Sequence, residues 1–555
     1  MIPEKPLADL PTHQVENMPP HMGDQDLWQS DQVLRKAVVR EGARSSVPLL
    51  SAFGKTVGAE NVFELADQAN RFPPQLKAFD RYGMRLNQVT FHPAYHDLME
   101  LAVQNELASF AWNHEGPGAH VTNMALVYMM CQTEGGVLCP MAMTYSSIPP
   151  LRSTPAISDE WIPRLLSKQY DPRDIPVTKK AGATMGMFMT EKQGGSDVRS
   201  NSTHAVAEGS GRGIGTDYLL TGHKYFCSAP MCDAFLTLAY TEEGLSCFMV
   251  PRWNPQGERN SLYIQQLKDK LGNRSNASAE IELQDTWGVM VGDEGHGIRT
   301  IIEMVQGTRI YCCTSSAAMM RQAFVQALHY AAHRKAFGKY LIDQPLMRNV
   351  LADLALEAES AMVLSMRVAR ALDHSSQDES EASLARIGTA IAKYWNCKRA
   401  PAHIFEAMEC HGGSGYIEES ILPRLYREAP VNSIWEGSGN VVCLDVLRAM
   451  QREEGAVPAI LAEMEQAIGA HPLLDSSIDA LKELVILTED SEFHARNITE
   501  KLALTLQGSL LARHAPSFIT DAFCTSRLAP EYRGAFGTLP SSADIGSILK
   551  RTSPM

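Results

Sequence analysis

The sequence predicts an α+β chain in which helical regions flank a β-rich middle and a further helical stretch follows. Apolar residues recur at helical spacing before about residue 185 and again after Gly297. Between Met185 and Gly292 that spacing gives way to short β-rich runs separated by Gly, Asn, Asp and Pro. At 555 residues and 61.1 kDa the chain exceeds what one hydrophobic core organises, which implies roughly three or four domains.

Residues 1–27 are proline-rich and aperiodic. Ser30 to Arg40 and Tyr95 to Trp112 then carry helical spacing, so 1–185 reads as a mainly helical amino-terminal domain. Gly and Pro punctuate it from Gly135 to Pro150, and 172–176 marks a connection. Residues 186–293 form the β domain, with candidate strands in Tyr218–Leu220, Ala234–Tyr240, Ser246–Val250 and Ala279–Leu283. Gly209 to Gly215 reads as an exposed hairpin loop. Met319–Ala332, Pro345–Ala371 and Ser383–Cys410 make 294–452 a helical bundle. A helical extension, 453–555, ends in a Pro, Gly and Ser-rich stretch from Pro530 to Met555 that predicts little order. No internal repeat stands out.

Net charge is −14 with an isoelectric point near 5.7, which argues against nucleic-acid binding through the field of the whole molecule. The 11 cysteines are scattered, with no zinc spacing and no C-x-x-C pair, so reduced thiols in a cytoplasmic setting are expected and no metal site. The first residues, Met-Ile-Pro-Glu-Lys-Pro, do not read as a secretory signal, and no eighteen-residue apolar span suggests a membrane helix.

Chemistry is carried by an ordered set of motifs. Met189-Thr-Glu-Lys-Gln-Gly-Gly-Ser-Asp197 is a Gly-rich polar turn able to offer backbone N–H groups to an anion. By itself such a turn is a surface loop more often than a site. Gly222-His-Lys-Tyr-Phe-Cys-Ser228 and Lys270-Leu-Gly-Asn-Arg-Ser-Asn-Ala-Ser278 follow, then Thr308-Arg309, Tyr330-Ala-Ala-His-Arg-Lys-Ala-Phe-Gly338, Gly412-Gly-Ser-Gly-Tyr416 and Trp435-Glu-Gly-Ser438. The set, in this order over roughly 250 residues, resembles the acyl-CoA dehydrogenase family. The extended blocks around Gly194, Gly272 and Glu436 are similar to its AidB-like subgroup, flavoproteins of the adaptive response to alkylation.

The resemblance implies an FAD-dependent oxidoreductase with an acyl-CoA dehydrogenase-like fold, acting on an acyl-CoA thioester with Glu436 as the base that removes an α-proton. Some relatives carry the base just before an arginine on a helix, and Thr308 stands there. The cofactor residues implied in the β domain are Met187, Met189, Thr190, Gly195 and Ser196, with Phe226, Cys227 and Ser228 beside the ring. Thr190, Ser196 and Ser228 would also meet substrate. Around the base the implied contacts are Ile434, Trp435, Gly437, Ser438 and Asn440. Arg334 and Phe337 resemble residues that reach a neighbouring subunit's FAD, and Gly412 and Gly413 fit its adenine end, which implies a homotetramer. Three positions depart from the family: Pro345, beside Gln344, and Glu409 stand where glutamines are usual, and Val442 replaces a polar residue. The electron acceptor and acyl-chain length are not legible.

The subgroup also raises a second expectation, a DNA-associated flavoprotein that protects against alkylation, with double-stranded DNA as partner. Residues 451–555 hold nine Lys plus Arg against fourteen Asp plus Glu, so the extension gives this no support. Arg448 is the remaining candidate near the base, and a solvated or ion-paired helix residue is the more common reading for it.

Overall fold

The structure, a computed structural model, describes residues 12–486, 488–531 and 534–553. The reading of the first six residues therefore lies outside the described residues.

The amino-terminal region is built from helices that include Gln32–Arg40, Val47–Val57 and Glu60–Arg71. Gln32–Arg40 starts at Asp31, whose carboxylate accepts the N–H groups of Val33 and Leu34 at 3.0 and 2.9 Å, satisfying two donors that a helix start leaves free. Leu34, Ala37 and Val38 then go into the core. Two expectations need correction here. A hairpin, β1 (Gln75–Phe79) and β2 (Arg85–Thr90), interrupts the helices. Its turn is set by Asp80, which accepts the N–H of Tyr82 and of Met84, and by Gly83 at a φ of 82°. Strands this short give periodicity little to register. The single helix expected over Tyr95 to Trp112 is two, Pro93–Gln104 and Phe110–Asn113, because Glu106 adopts a φ of 58° and a left-handed residue cannot continue an α-helix.

Helices α1 (Ala119–Thr133) and α2 (Leu138–Arg152), buried on nearly all sides, lead toward the β domain. Its strands are β3 (Met185–Phe188), β4 (His204–Ala207), β5 (Asp217–Ser228), β6 (Ala234–Thr241), β7 (Gly244–Pro251), β8 (Leu262–Leu267) and β9 (Ser278–Val291). Strands β6, β4, β5, β9 and β7 pair in turn and β7 pairs back onto β6, which closes a barrel; β3 joins β6 in parallel and β8 pairs with β9. All four candidate strands lie in this sheet. The loop 209–215 joins β4 to β5, and Gly209, Gly213 and Gly215 all have positive φ.

The bundle consists of α3 (Gly297–His333), α4 (Pro345–His374), α5 (Glu379–Cys410), α6 (Leu422–Asn432) and α7 (Gly439–Arg452). The long α3 packs against α1, α2, α4 and α5, so it is apolar around most of its circumference. Polar α3 residues at Thr308 and Arg309 are buried as well, and they find partners in the site described below. The carboxy-terminal extension includes α8 (Ala495–His514), which packs on α4, α5 and α7, and α9 (Ile545–Thr552). The stretch from Pro530 is more ordered than expected. Leu539, Ile548 and Leu549 are buried, Arg551 pairs with the buried Glu359 at 2.8 Å, and Arg321 reaches the carbonyl of Thr552.

Every one of the eleven cysteines is buried with a free thiol. Among the described residues no cluster of His, Cys, Asp and Glu could hold a metal ion, and no helix is long and apolar enough to cross a membrane.

Candidate functional site

The turn between α6 and α7 carries Glu436 in the left-handed region at φ 60°, followed by Gly437 at φ 101°. Such a conformation costs a non-glycine residue about 1–3 kcal/mol and persists only where its surroundings hold it. Arg309 Nε donates to the main-chain carbonyl of Glu436 at 2.9 Å, and the buried ammonium of Lys393 donates to that of Gly437. Asp445 on α7 fixes Arg309 at 2.6 Å and is shared with Arg386 at 2.8 Å. Helices α3, α5 and α7 thus grip the turn through charges, while its carboxylate is left almost alone. Thr308 Oγ1 donates to Glu436 Oε2 at 2.7 Å. Burial pushes the Glu436 carboxyl above the usual glutamate range, against the hydrogen bond from Thr308 and the charges of Lys393 and Arg309. The N–H of Glu436 donates to no acceptor among the described residues, although those of Ile434 and Trp435 both bond Val431.

The two alternative base positions therefore meet in space. Thr308, the other position considered for the base, touches the carboxylate of Glu436.

The β domain meets this turn through Trp435, which packs against its core. Along the end of β5 side chains alternate: Phe226 is 51% exposed, Cys227 enters the core and Ser228 returns to the face of Phe226. Only the main chain of Cys227 belongs to that face. Met187 is likewise buried in β3, whereas Met189 and Thr190 emerge at its end. The Gly-Gly-Ser-Asp turn that follows is tied down by Glu191, which is wholly buried. Its oxygens accept from Lys224 Nζ at 2.8 Å, Thr203 Oγ1 at 2.6 Å and the N–H of Ser202 at 2.7 Å. Burial alone would raise this carboxyl; Lys224 and the other donors overcome it and hold the pKa at about 2. Tyr225 N–H donates to the carbonyl of Thr190 at 2.8 Å, fixing the turn to β5. Gly195 and Ser196 are left exposed at its tip.

Three family models match consecutive parts of the chain: the adaptive response protein AidB N-terminal domain over residues 17–172, the acyl-CoA dehydrogenase middle domain over 186–286 and the acyl-CoA dehydrogenase C-terminal domain over 295–451. The chain is 44% identical to AidB of Escherichia coli (strain K12) over 517 residues, 92% of this chain and 94% of that one. It is an AidB-like member of the acyl-CoA dehydrogenase family. Acyl-CoA dehydrogenase family member 11 of Caenorhabditis elegans is 30% identical over 87% of this chain and 83% of its own length. Among solved structures, Caenorhabditis elegans ACDH-11 in complex with C11-CoA superimposes with a TM-score of 0.85 at 27% identity, covering 96% of both chains. The Bd2924 apo-form gives 0.82 at 28% identity, over 91% of this chain and all of that one.

In this acyl-CoA dehydrogenase chain the residues singled out from sequence fall into two groups. Ile434, Trp435, Gly437 and Ser438 surround Glu436, and Trp435 packs against the core of the β domain, which joins that turn to the β domain. Arg334, Phe337, Gly412 and Gly413 are elsewhere. Arg334 caps the far end of α3, and at about 1.5 Å per residue the helix carries it roughly 35–40 Å from Arg309. Phe337 is fully exposed, and a Cβ on Gly412 or Gly413 would meet no atom within 4 Å. One protomer does not bring the two groups together.

Sequence reading missed several participants. Glu191 and Lys224 stood inside quoted motifs without a role, and a burial-dependent ion pair leaves no local signal. Arg496 of the extension donates to Asn440 Oδ1 at 2.7 Å, a contact between segments 56 residues apart. Lys268 holds Glu280 at 2.5 Å and lies over the ring of Tyr225, which makes it part of the β framework.

Proposed function

We propose that this chain binds FAD along the face bearing Phe226 and Ser228 and oxidises an acyl-CoA thioester between its α and β carbons, with Glu436 taking the α-proton. The observation that carries this reading is the state of Glu436: a partly buried carboxylate with one side-chain donor, a raised pKa and an unclaimed main-chain N–H beside it. A base needs affinity for a proton near working pH, which burial supplies. A free N–H adjacent to it can donate to the thioester carbonyl oxygen and so acidify the α-proton.

The residues fit the cofactor. Phe226 offers an apolar ring half open to solvent, Ser228 a hydroxyl on the same face, and Thr190 with Gly195 and Ser196 an exposed turn suited to a phosphate. Met187, Met189 and the main chain of Cys227 would line the β-domain wall, and Ile434, Trp435, Gly437, Ser438 and Asn440 the opposite one. When bound, FAD would accept the β-hydrogen with its electron pair. Arg334, Phe337, Gly412 and Gly413, too distant within one protomer, suit the adenine end of a neighbour's cofactor, so the reading calls for a homotetramer. The Caenorhabditis elegans relative bound to C11-CoA supports an acyl-CoA substrate.

A DNA-protective role draws no comparable support. The extension carries more acidic than basic residues, and Arg448 is a solvated side chain 3.9 Å from Asp445.

Anaerobic mixing of the flavin-loaded protein with a panel of saturated acyl-CoAs tests the proposal. Bleaching of the visible flavin band by at least one thioester is expected. A protein that takes up FAD and is bleached by none of them contradicts it.

A further inference from the structure

Behind Ser228 stands a chain of polar groups that the reaction as described does not use. Ser228 Oγ is 3.3 Å from Ser278 Oγ on β9. Lys270 Nζ donates to Ser278 Oγ at 3.2 Å and to the main-chain carbonyl of Asn276 at 2.6 Å. Chemistry sets the direction of this chain. An ammonium has three protons and no lone pair, so Ser278 accepts from it and has one proton of its own to pass to Ser228. Ser228, already accepting, then directs its proton outward. Within the protein the Cys139 thiol is within reach of that proton, and a thiol is a weak acceptor that a ring nitrogen or carbonyl would displace.

The loop that carries Lys270 is built to hold this position. A Cβ at Gly272 would overlap the carbonyl of Arg427 at 2.1 Å, so the approach to α6 is open only to glycine. Asn273, in the left-handed region, donates to Glu428 on α6 at 2.7 Å, and Ser275 donates to Glu134, just after α1, at 2.7 Å. The loop is therefore wedged among α1, α6 and β9, three elements that meet behind Ser228.

We infer that Lys270 is a positioning residue for the reaction, acting through Ser278 to make Ser228 a hydrogen-bond donor toward the bound cofactor. The inference rests on the reading of the Phe226–Ser228 face as the FAD site. The charged and titratable groups facing Lys270 are Cys139 on α2 and Glu428 on α6, with Glu134 behind the latter, and no carboxylate pairs directly with the ammonium among the described residues. Burial brings the Lys270 pKa down to about 8, against the pull of Cys139 and Glu428. Below that pH the ammonium enforces the direction of the chain. Above it, a neutral amine can accept a proton from Ser278, and Ser228 is no longer bound to donate outward.

Sulfite, which bleaches flavin when it adds to the ring, reads this environment without turnover. The FAD-loaded native protein is compared with Lys270→Met and with Ser278→Ala, which keeps the charge and removes the bridging oxygen. Each variant should bind sulfite about tenfold more weakly at neutral pH, the worth of one charge-assisted hydrogen bond. The gap between native and Lys270→Met should close as pH rises through about 8. Full affinity in Ser278→Ala overturns the relay even if Lys270→Met is weakened, because charge alone then explains the lysine. If Lys270→Met loses its fold, Ser278→Ala carries the test. A native protein that takes up no flavin contradicts the cofactor assignment and the relay with it; flavin uptake with unchanged sulfite affinity in both variants contradicts the relay alone.

Discussion

Two glutamates in this molecule are withdrawn from solvent, Glu191 wholly and Glu436 in part, and are held in opposite states. Glu191, under the Gly-Gly-Ser-Asp turn, is surrounded by Lys224, Thr203, Ser202 and Gln193, and its carboxyl is held at about 2. Glu436, in the turn between α6 and α7, has a single side-chain donor in Thr308, and its carboxyl is raised. The nearby cations do not remove the difference, because Arg309 and Lys393 spend their hydrogen bonds on the carbonyls of Glu436 and Gly437 rather than on the carboxylate. Burial is common to both; the number of donors aimed at the oxygens decides whether a buried carboxylate becomes an anchor or a base.

The largest effect that separates them is on rate. Glu436→Gln keeps the shape and the Thr308 contact but cannot accept a proton, so flavin bleaching by acyl-CoA should slow by about a hundred- to ten-thousandfold, with the visible spectrum and unfolding midpoint preserved. Glu191→Gln should do the reverse. It leaves the buried Lys224 ammonium uncompensated and should cost about 3–5 kcal/mol in urea unfolding, with flavin affinity falling as the turn loosens. A variant of Glu191 with native stability would break the comparison.

The same contrast has a pH form. The carboxyl of Glu191 lies below its usual value of 4.5, so its contribution to stability is present above that pH and is lost as pH falls toward about 2. Urea midpoints measured across this acid range should decline in the native protein, and the slope should flatten in Glu191→Gln. The raised carboxyl of Glu436 works the other way, favouring the protonated form and making the reaction faster as pH rises through its pKa.

Much of this was legible in the chain. The helical, β and helical order follows from a change in apolar spacing, and the family from motifs that persist in order over hundreds of residues. The hairpin at Gln75–Thr90 escaped because five- and six-residue strands give a weak alternation signal, and the break at Glu106 because a left-handed glutamate leaves no mark in composition. The order after Pro530 comes from contacts with α3 and α4, which lie far upstream. At the site, the residue type at Glu436 and Thr308 was readable, but their contact was not, since 128 residues separate them. The roles of Glu191 and Lys270 depend on burial, which motifs do not encode.

The measurement that tests the central claim most directly is the pH dependence of flavin bleaching in a single anaerobic turnover, compared between native protein and Thr308→Val. Removing the one side-chain donor to Glu436 found among the described residues should move the break in rate upward, with the rate recovering at high pH. A break at or below the ordinary glutamate value of 4.5, or one that stays in place in Thr308→Val, would contradict the account in which scarcity of donors makes Glu436 the base.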